Sequence, residues 1–236
     1  TPRTHYQILV QCDLWGQRIL PPALRNPFAI THLADKPCSQ IEEFIMEMVA
    51  LQHGGCVCFS SLPNARYTVL PQLKPTVLLC DEFDLSQMDN LIVDAIYGQR
   101  TRMQQQLWKQ YIRHVAPLHS QRVEGPTASL EPVADEEGNA LFAGLLQPFG
   151  FENLRLLVGT NADNSCNCVL FLRTILAFTM TVRMRGSCPV IQSYTLQEAG
   201  SVVFSTSWRD HNSFGHYGAP LMGVFVRVQL RSFPQP

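Results

Sequence analysis

The stretch Val169–Arg185, VLFLRTILAFTMTVRMR, carries the strongest strand pattern of this sequence. Almost every residue from Val169 to Met180 is apolar or β-branched, which fits a buried strand or a buried helix. From Phe178 onward apolar and polar residues alternate, so that one face points into a core and the other into water. We therefore predict a central core strand here.

Further segments with strand composition surround this stretch, and a short helix is predicted at Leu141–Leu146. We expect residues 140–236 to form a mostly antiparallel β-sheet or sandwich. The predicted strands are Leu154–Val158, Val190–Leu196, Ser201–Ser205 and Met222–Leu230.

The N-terminal part combines strands with two helical regions. Ser39–His53 begins with a capping box between Ser39 and Glu42 and carries apolar residues at helical spacing. Asp84–Gly98 is the second helical region, and Thr101–Val115 continues it. Leu24–Pro37 is predicted to be a loop because of its prolines. The predicted strands are Tyr6–Leu20, interrupted by a turn at Trp15–Gly16; a hairpin of Cys56–Ser60 and Arg66–Leu70; and Thr76–Cys80.

Residues 119–139 separate these two parts. They contain Gly125, Pro126, Pro132 and an acidic run, so they are predicted to be a linker or a long exposed loop. The division is then an α/β part over 1–118 and a β-rich part over 140–236, with one continuous domain as the alternative. Because strands and helices are partly segregated, we predict the α+β class.

The amino-acid composition indicates which classes of binding partner are expected. The chain of 236 residues is 46% hydrophobic and 16% charged, which argues against extensive disorder. Its net charge of -1 provides no basic field, so nucleic acid is not an expected partner. Of its 18 basic residues only Lys36, Lys74 and Lys109 are lysines. Arginine suits interfaces better than lysine, so a protein partner or self-association is expected.

The cellular location is predicted from targeting signals and cysteines. The chain begins at Thr1, which suggests a processed product or an excised domain, and it shows neither a signal peptide nor an apolar membrane span. Its eight cysteines are too sparse for a disulfide scaffold. We predict a reducing intracellular location, in the cytoplasm or the nucleus.

The segment Thr76–Asp84, TVLLCDEFD, resembles the acidic strand end with which nucleotide hydrolases hold Mg²⁺. Its usual partner, a glycine-rich phosphate loop ending in lysine, is absent from the sequence. A strand followed by a helix whose first turn favours acids explains the same residues.

Two Cys-X-Cys pairs are candidate zinc ligands if they meet in space: Cys56 with Cys58, and Cys166 with Cys168. Within a strand, residues two apart lie about 6–7 Å from each other, which is wide for ligands of one metal. Free thiols and no cofactor are the simpler expectation.

Trp208–Gly218, WRDHNSFGHYG, concentrates polar and aromatic side chains. Asp210, His211 and His216 are candidate catalytic residues of a hydrolase. The alternative is a binding loop presented by a rigid scaffold. The candidate binding residues are Trp208, Arg209, Phe214 and Tyr217, together with Arg183 and Arg185 on the polar face of the predicted core strand.

The Val169–Gly186 segment, with LRT before its alternating strand and RGS after it, resembles a strand of the jelly-roll coat proteins of small RNA viruses. The final GVFVRVQL resembles their closing strand. The helical segment Ser86–Val115 departs from that fold. The resemblance implies a structural assembly role.

The sequence thus favours a non-enzymatic structural or protein–protein interaction protein, for example a coat-like assembly subunit. Two alternatives remain: a hydrolase using Asp210, His211 and His216, and a zinc-stabilised regulatory module. The sequence contains no complete catalytic motif, which argues against an enzyme.

Overall fold

The computed structural model describes residues 4–37, 39–60, 66–98, 101–103, 105–106, 147–161, 188–196, 198–199, 201–209 and 216–227. The helices are α1 His5–Ile19, α2 Ile41–Gln52, α3 Arg66–Leu73 and α4 Glu82–Tyr97. The strands are β1 Thr31–Ala34, β2 Cys56–Phe59, β3 Val77–Cys80, β4 Leu156–Thr160, β5 Val190–Leu196, β6 Ser201–Ser205 and β7 Ala219–Pro220. Short 3₁₀ helices occupy Pro22–Leu24, Gln147–Phe149 and Phe151–Asn153.

The described strands form one sheet in the order β2-β1-β3-β4-β5-β6-β7. Pairing is parallel from β2 across to β5, and only β6 and β7 run antiparallel. The combination of helices and strands agrees with the predicted class, but the mostly antiparallel C-terminal sheet is wrong. Whether two strands pair in parallel depends on the path of the connection between them. The alternation of residues within one strand carries no information about that path.

Helices cover both faces of the sheet, as in other doubly wound folds. On one face α1 and α2 pack against β3, β4 and β5, with Trp15, Met46 and Ile191 fully buried. On the other face α3 and α4 pack around Leu70, Leu78 and residues of β4. The sheet is therefore a central layer with a separate apolar core on each side.

Helix α1 replaces the two strands predicted for Tyr6–Leu20. Thr4 caps it with a capping box, and its buried residues Cys12, Trp15 and Ile19 recur at helical spacing. Gly16 is a helical residue and makes no turn. A Cβ there would lie 3.3 Å from Cγ1 of Val49, so the absence of a side chain lets α1 approach α2 closely.

Helices α2 and α4 confirm the two predicted helical regions but begin differently. No side chain caps α2, so the capping box predicted for Ser39 and Glu42 is wrong. Helix α4 begins earlier than predicted, because Asp81 is its N-cap and forms a capping box with Asp84. The apolar residues that α4 buries recur at helical spacing: Leu85, Met88, Ile92 and Ile96.

The predicted hairpin of Cys56–Ser60 and Arg66–Leu70 is wrong. Cys56–Phe59 is the edge strand β2, which pairs in parallel with β1, whereas Arg66–Leu73 is helical and contains Pro71. Strand β1 lies in the segment that was predicted to be a loop. Its four residues are too short to stand out among the flanking prolines.

Several predictions fall on other parts of the chain. The core strand Val169–Arg185, the linker 119–139 and the helix Leu141–Leu146 lie outside the described residues, so the division into two parts stays a prediction. The same holds for most of Thr101–Val115. Residues 222–227 carry no strand, contrary to the prediction. None of the described helices combines the length and the apolar character that crossing a bilayer requires.

Candidate functional site at the carboxyl edge of the sheet

The strand order places a topological switch between β1 and β3. The chain leaves β1 towards β2 through α2 on one face, whereas α3 and α4 lie on the other face. The loops after β1 and β3 therefore diverge and leave a crevice between them. In open α/β sheets, ligands bind in such a crevice beyond the carboxyl ends of the strands.

Five charged side chains gather at this crevice, and we call them the carboxyl-edge cluster. Asp35 and Lys36 directly follow β1, Asp81 and Asp84 lie at the start of α4 directly after β3, and Arg66 is the first residue of α3. The three segments are distant in sequence. The parallel pairing of the sheet brings them together.

Arg66 is the centre of the cluster. Its guanidinium donates two hydrogen bonds of 2.6 Å to the carboxylate of Asp35, and Nη1 lies 3.2 Å from Oδ2 of Asp84. Nη2 also donates to the carbonyl oxygen of Leu79 at 3.0 Å. Burial lowers the pKa of Arg66, but Cys80 and the carboxylates of Asp35 and Asp84 together raise it by more, so the net pKa lies above the usual value.

Lys36 binds the other two acids. Its Nζ lies 2.7 Å from Oδ2 of Asp84 and also contacts Oδ2 of Asp81. Burial lowers the pKa of Lys36, but its hydrogen bonds to Asp81 and Asp84 raise the pKa by more than burial lowers it. The net shift is therefore upward. For Asp81, burial raises the pKa and the bond from Lys36 lowers it, with a net lowering. Lys36 and Asp81 are therefore both charged at neutral pH.

A pocket of about 410 Å³ opens beside the cluster. This volume falls in the range that holds a small molecule. Two aromatic rings and an amide contribute to it besides the charged groups, and Phe83 is 66% exposed. The lining residues are Asp35, Lys36, Arg66, Tyr67, Phe83, Asp84 and Gln87.

The ends of β4 and β5 continue this edge of the sheet. The amide of Asn161 donates to the hydroxyl of Thr195 at 2.8 Å and accepts from the backbone N–H of the same residue at 2.8 Å. The hydroxyl of Thr160 donates to the carbonyl of Cys80 at 3.4 Å. These bonds hold the ends of three neighbouring strands in a fixed arrangement.

The structure brings few of the sequence-predicted catalytic and binding residues together. His216 is exposed, and its Nδ1 accepts a hydrogen bond of 2.9 Å from the backbone of Gly218. The guanidinium of Arg209 lies 5.1 Å from the ring centre of Trp208. The ring of Tyr217 lies 5.3 Å from that of Tyr194. The other candidates fall outside the described residues: Asp210, His211, Phe214, Arg183 and Arg185.

Of the two cysteine pairs predicted as candidate zinc ligands, only one lies among the described residues. Cys56 and Cys58 have their Sγ atoms 3.6 Å apart, closer than their backbone spacing alone suggests. Cys166 and Cys168 lie outside the described residues. In the part of the chain that is described, no three His, Cys, Asp or Glu side chains are placed to hold a metal ion. These site residues stay predictions.

Of the carboxyl-edge cluster, only the acids after β3 stand out in the sequence. The acids after Thr76–Cys80 resemble a metal site in sequence. Their alternative explanation, the start of a helix, matches Asp81 as the N-cap of α4 and Asp84 in its first turn. Asp35, Lys36 and Arg66 were missed. The available signal was a charged pair directly after the four-residue strand β1, which becomes meaningful only once the parallel pairing is known.

No protein-family model and no curated protein matches the chain, but solved structures match its fold. The inhibitor-bound N-terminal domain of FACL13 from Mycobacterium tuberculosis has a TM-score of 0.51 and 10% identity, over 93% of this chain and 39% of that one. O-succinylbenzoate coenzyme A synthetase from Bacillus subtilis, solved with AMP, has a TM-score of 0.52 and 12% identity, over 93% and 32%. FadD1, a long-chain-fatty-acid-CoA ligase from Archaeoglobus fulgidus, has a TM-score of 0.52 and 11% identity, over 92% of this chain and 33% of that one.

This chain shares the fold of these three structures. It spans only about a third to two fifths of the length of the structures that it matches. The resemblance to jelly-roll coat proteins is wrong, because a jelly roll is built of two antiparallel sheets and this sheet is mostly parallel.

The function predicted from the sequence is also wrong. The fold is shared with a coenzyme A synthetase and a fatty-acid-CoA ligase and not with a coat protein, so the prediction of a non-enzymatic, coat-like structural or interaction subunit is wrong. The comparisons support neither the hydrolase nor the zinc-stabilised regulatory module.

Proposed function

We propose that this chain is the nucleotide-binding part of an enzyme of the coenzyme A ligase type, and that the pocket beside the carboxyl-edge cluster takes the adenosine portion of the nucleotide. One observation carries the proposal: the pocket lies at the topological switch point of the sheet, between β1 and β3. The fold is shared with a synthetase solved in complex with AMP, which supports the choice of nucleotide.

The pocket offers the contacts that a nucleoside base uses. The exposed ring of Phe83 and the ring of Tyr67 provide apolar faces on which a base can stack. The side-chain amide of Gln87 can both donate to and accept from the polar edge of the base.

The charge of the cluster decides which part of the nucleotide enters. Two cations, Lys36 and Arg66, face three carboxylates, so the cluster carries a net charge of about -1 when all five groups are ionised. Both cations are already bound to carboxylates within the cluster. A phosphate would meet repulsion there, so the adenosine enters the pocket and its phosphate points away from the cluster.

The activity of the whole enzyme is part of the proposal. By analogy of fold, the chain contributes to joining a carboxylic acid to coenzyme A, and the described side chains bind and orient the nucleoside. An intracellular location fits this activity and the unpaired thiols Cys12, Cys80 and Cys188. Association with a further protein stays a separate proposal, tested by measuring native mass across a dilution series.

Isothermal titration with adenosine and with AMP tests this proposal. We expect both ligands to bind and Phe83→Ala to weaken binding on the order of tenfold, because a stacked base contributes about 1–3 kcal/mol. Phe225→Ala is the matched control, since Phe225 is 99% exposed and does not line the pocket. Equal affinities of the two variants, or absence of binding in the wild-type chain, would overturn it.

A further inference from the structure

Cys56 and Cys58 form a pair of neighbouring thiols on the edge strand β2. Their Sγ atoms are 3.6 Å apart. Because residues two apart on a strand point to the same face, both thiols project from one side of β2, and Val57 between them packs against the α1–α2 core on the other side. Cys56 is exposed and Cys58 is half-buried.

We propose that Cys56 and Cys58 are a reversible redox site that reacts with a small disulfide such as glutathione disulfide to form an intramolecular disulfide. The inference is independent of the nucleotide-binding proposal. It rests on the distance between the two sulfur atoms, their common face and their access to solvent.

The other thiols of the described chain make a useful contrast. Burial raises the pKa of Cys12 to about 11 and that of Cys80 to about 12, so neither forms a thiolate readily at neutral pH. Both are buried, as is Cys188. The pKa of Cys58 is raised as well, mainly by its partial burial and secondly by its hydrogen bond with Cys56. We therefore assign the first attack to the more exposed Cys56.

The reaction proceeds in two exchange steps. Cys56 gives up its proton and attacks one sulfur of glutathione disulfide; the bond between the glutathione sulfurs breaks, and one glutathione leaves with that proton. Cys58 then gives up its proton and attacks the Cys56 sulfur, and the second glutathione leaves with the second proton. The two protein thiols lose two electrons in total, and one glutathione disulfide becomes two glutathiones.

The position of β2 makes this disulfide reversible. In a regular strand the Cα atoms of residues two apart lie about 6.6 Å from each other, near the upper limit of about 6.8 Å for disulfides. The strand must therefore pucker slightly to close the bond. Among the described strands β2 pairs only with β1, so its outer side is free to adjust. Strained and exposed disulfides are the ones that are easily reduced again.

The test is to equilibrate the chain in glutathione buffers of increasing disulfide content, alkylate the remaining thiols and map them by mass spectrometry. We expect Cys56 and Cys58 to lose their reactivity together, with the loss of two hydrogens and full reversal by dithiothreitol. In Cys58→Ser, Cys56 should retain one bound glutathione instead, since the second step is impossible.

Cys188→Ser and Cys38→Ser are the controls, and both should keep the internal disulfide. The proposal is overturned if Cys56 and Cys58 remain alkylated throughout or if either pairs with Cys38. It is equally overturned if the wild-type chain accumulates bound glutathione as Cys58→Ser does. Cys58 is half-buried on the edge strand β2, and serine is close to cysteine in size, so Cys58→Ser is expected to fold.

Discussion

Arg66 and Asp35 form a two-pronged ion pair, in which Nε and Nη2 of the guanidinium each lie 2.6 Å from a carboxylate oxygen. The pair ties the first residue of α3 to the residue that follows β1. Because Arg66 also donates to the carbonyl of Leu79, the same side chain holds the end of β3. One guanidinium therefore fixes the three elements that enclose the proposed nucleoside pocket.

Arg66→Met should reduce the free energy of unfolding by about 3–5 kcal/mol, measured by urea denaturation. The side chain of Arg66 is only 6% exposed, and its removal deprives the carboxylate of Asp35, which is 12% exposed, of both hydrogen bonds from the guanidinium. Asp84, in contrast, keeps its contact with Lys36. Arg102→Met is the matched control because Arg102 is exposed, and it should change stability by less than about 0.5 kcal/mol. Similar effects of the two substitutions would show that the ion pair does not hold these elements together.

The contribution of Lys36 should depend on pH only at the extremes. The lowered pKa of Asp81 gives stability that is present above its unfolded value of about 3.9 and is lost as pH falls through the lower folded value. The raised pKa of Lys36 gives stability that is present below about 10.4 and is lost as pH rises through the higher folded value.

Lys36→Met removes both contributions, so the stability difference between wild type and variant should be constant from about pH 5 to 9 and shrink on either side. Urea denaturation across pH measures this difference. Lys74→Met, which breaks an ion pair with Glu152 in which the lysine is far more exposed than Lys36, is the control and should cost about 0–1 kcal/mol. A difference that changes steeply between pH 5 and 9 would contradict the assignment.

Alanine substitutions at Gly150 and Gly223 distinguish the cost of backbone strain from the cost of a steric clash. Both have a left-handed backbone, with φ of 76° and 81°, so alanine is strained at either position by about 1–2 kcal/mol. A Cβ at Gly150 would lie 2.1 Å from the carbonyl oxygen of Leu70, whereas a Cβ at Gly223 meets nothing within 4 Å. Gly150→Ala should therefore cost at least about 1 kcal/mol more than Gly223→Ala in urea unfolding. Equal costs would mean that α3 does not approach Gly150 this closely.

The sequence predicts best those elements whose signals are local. Strand β3 is a run of four buried residues, and α4 follows it with acids in its first turn and a buried apolar stripe. Both were found because each carries its own composition and cap. Helix α1 was misread because Gly16 suggests a turn, while its real reason is the close approach of Val49, which only the tertiary structure reveals.

The candidate site depends on information that no local segment contains. Asp35, Arg66 and Asp84 meet because β1 pairs in parallel with β3 and α3 lies on the same face as α4. With β1 unrecognised and α3 read as a strand, the switch point could not be inferred. The acidic end of Thr76–Asp84 was therefore visible, but its basic partners Lys36 and Arg66 were not.

A crystal structure of the chain grown with AMP tests the central claim most directly. The account predicts the adenine against Phe83 and Tyr67, within reach of Gln87, and the phosphate directed away from the carboxyl-edge cluster. AMP bound elsewhere on the chain, or with its phosphate on Lys36 and Arg66, would contradict the assignment of the pocket to the nucleoside.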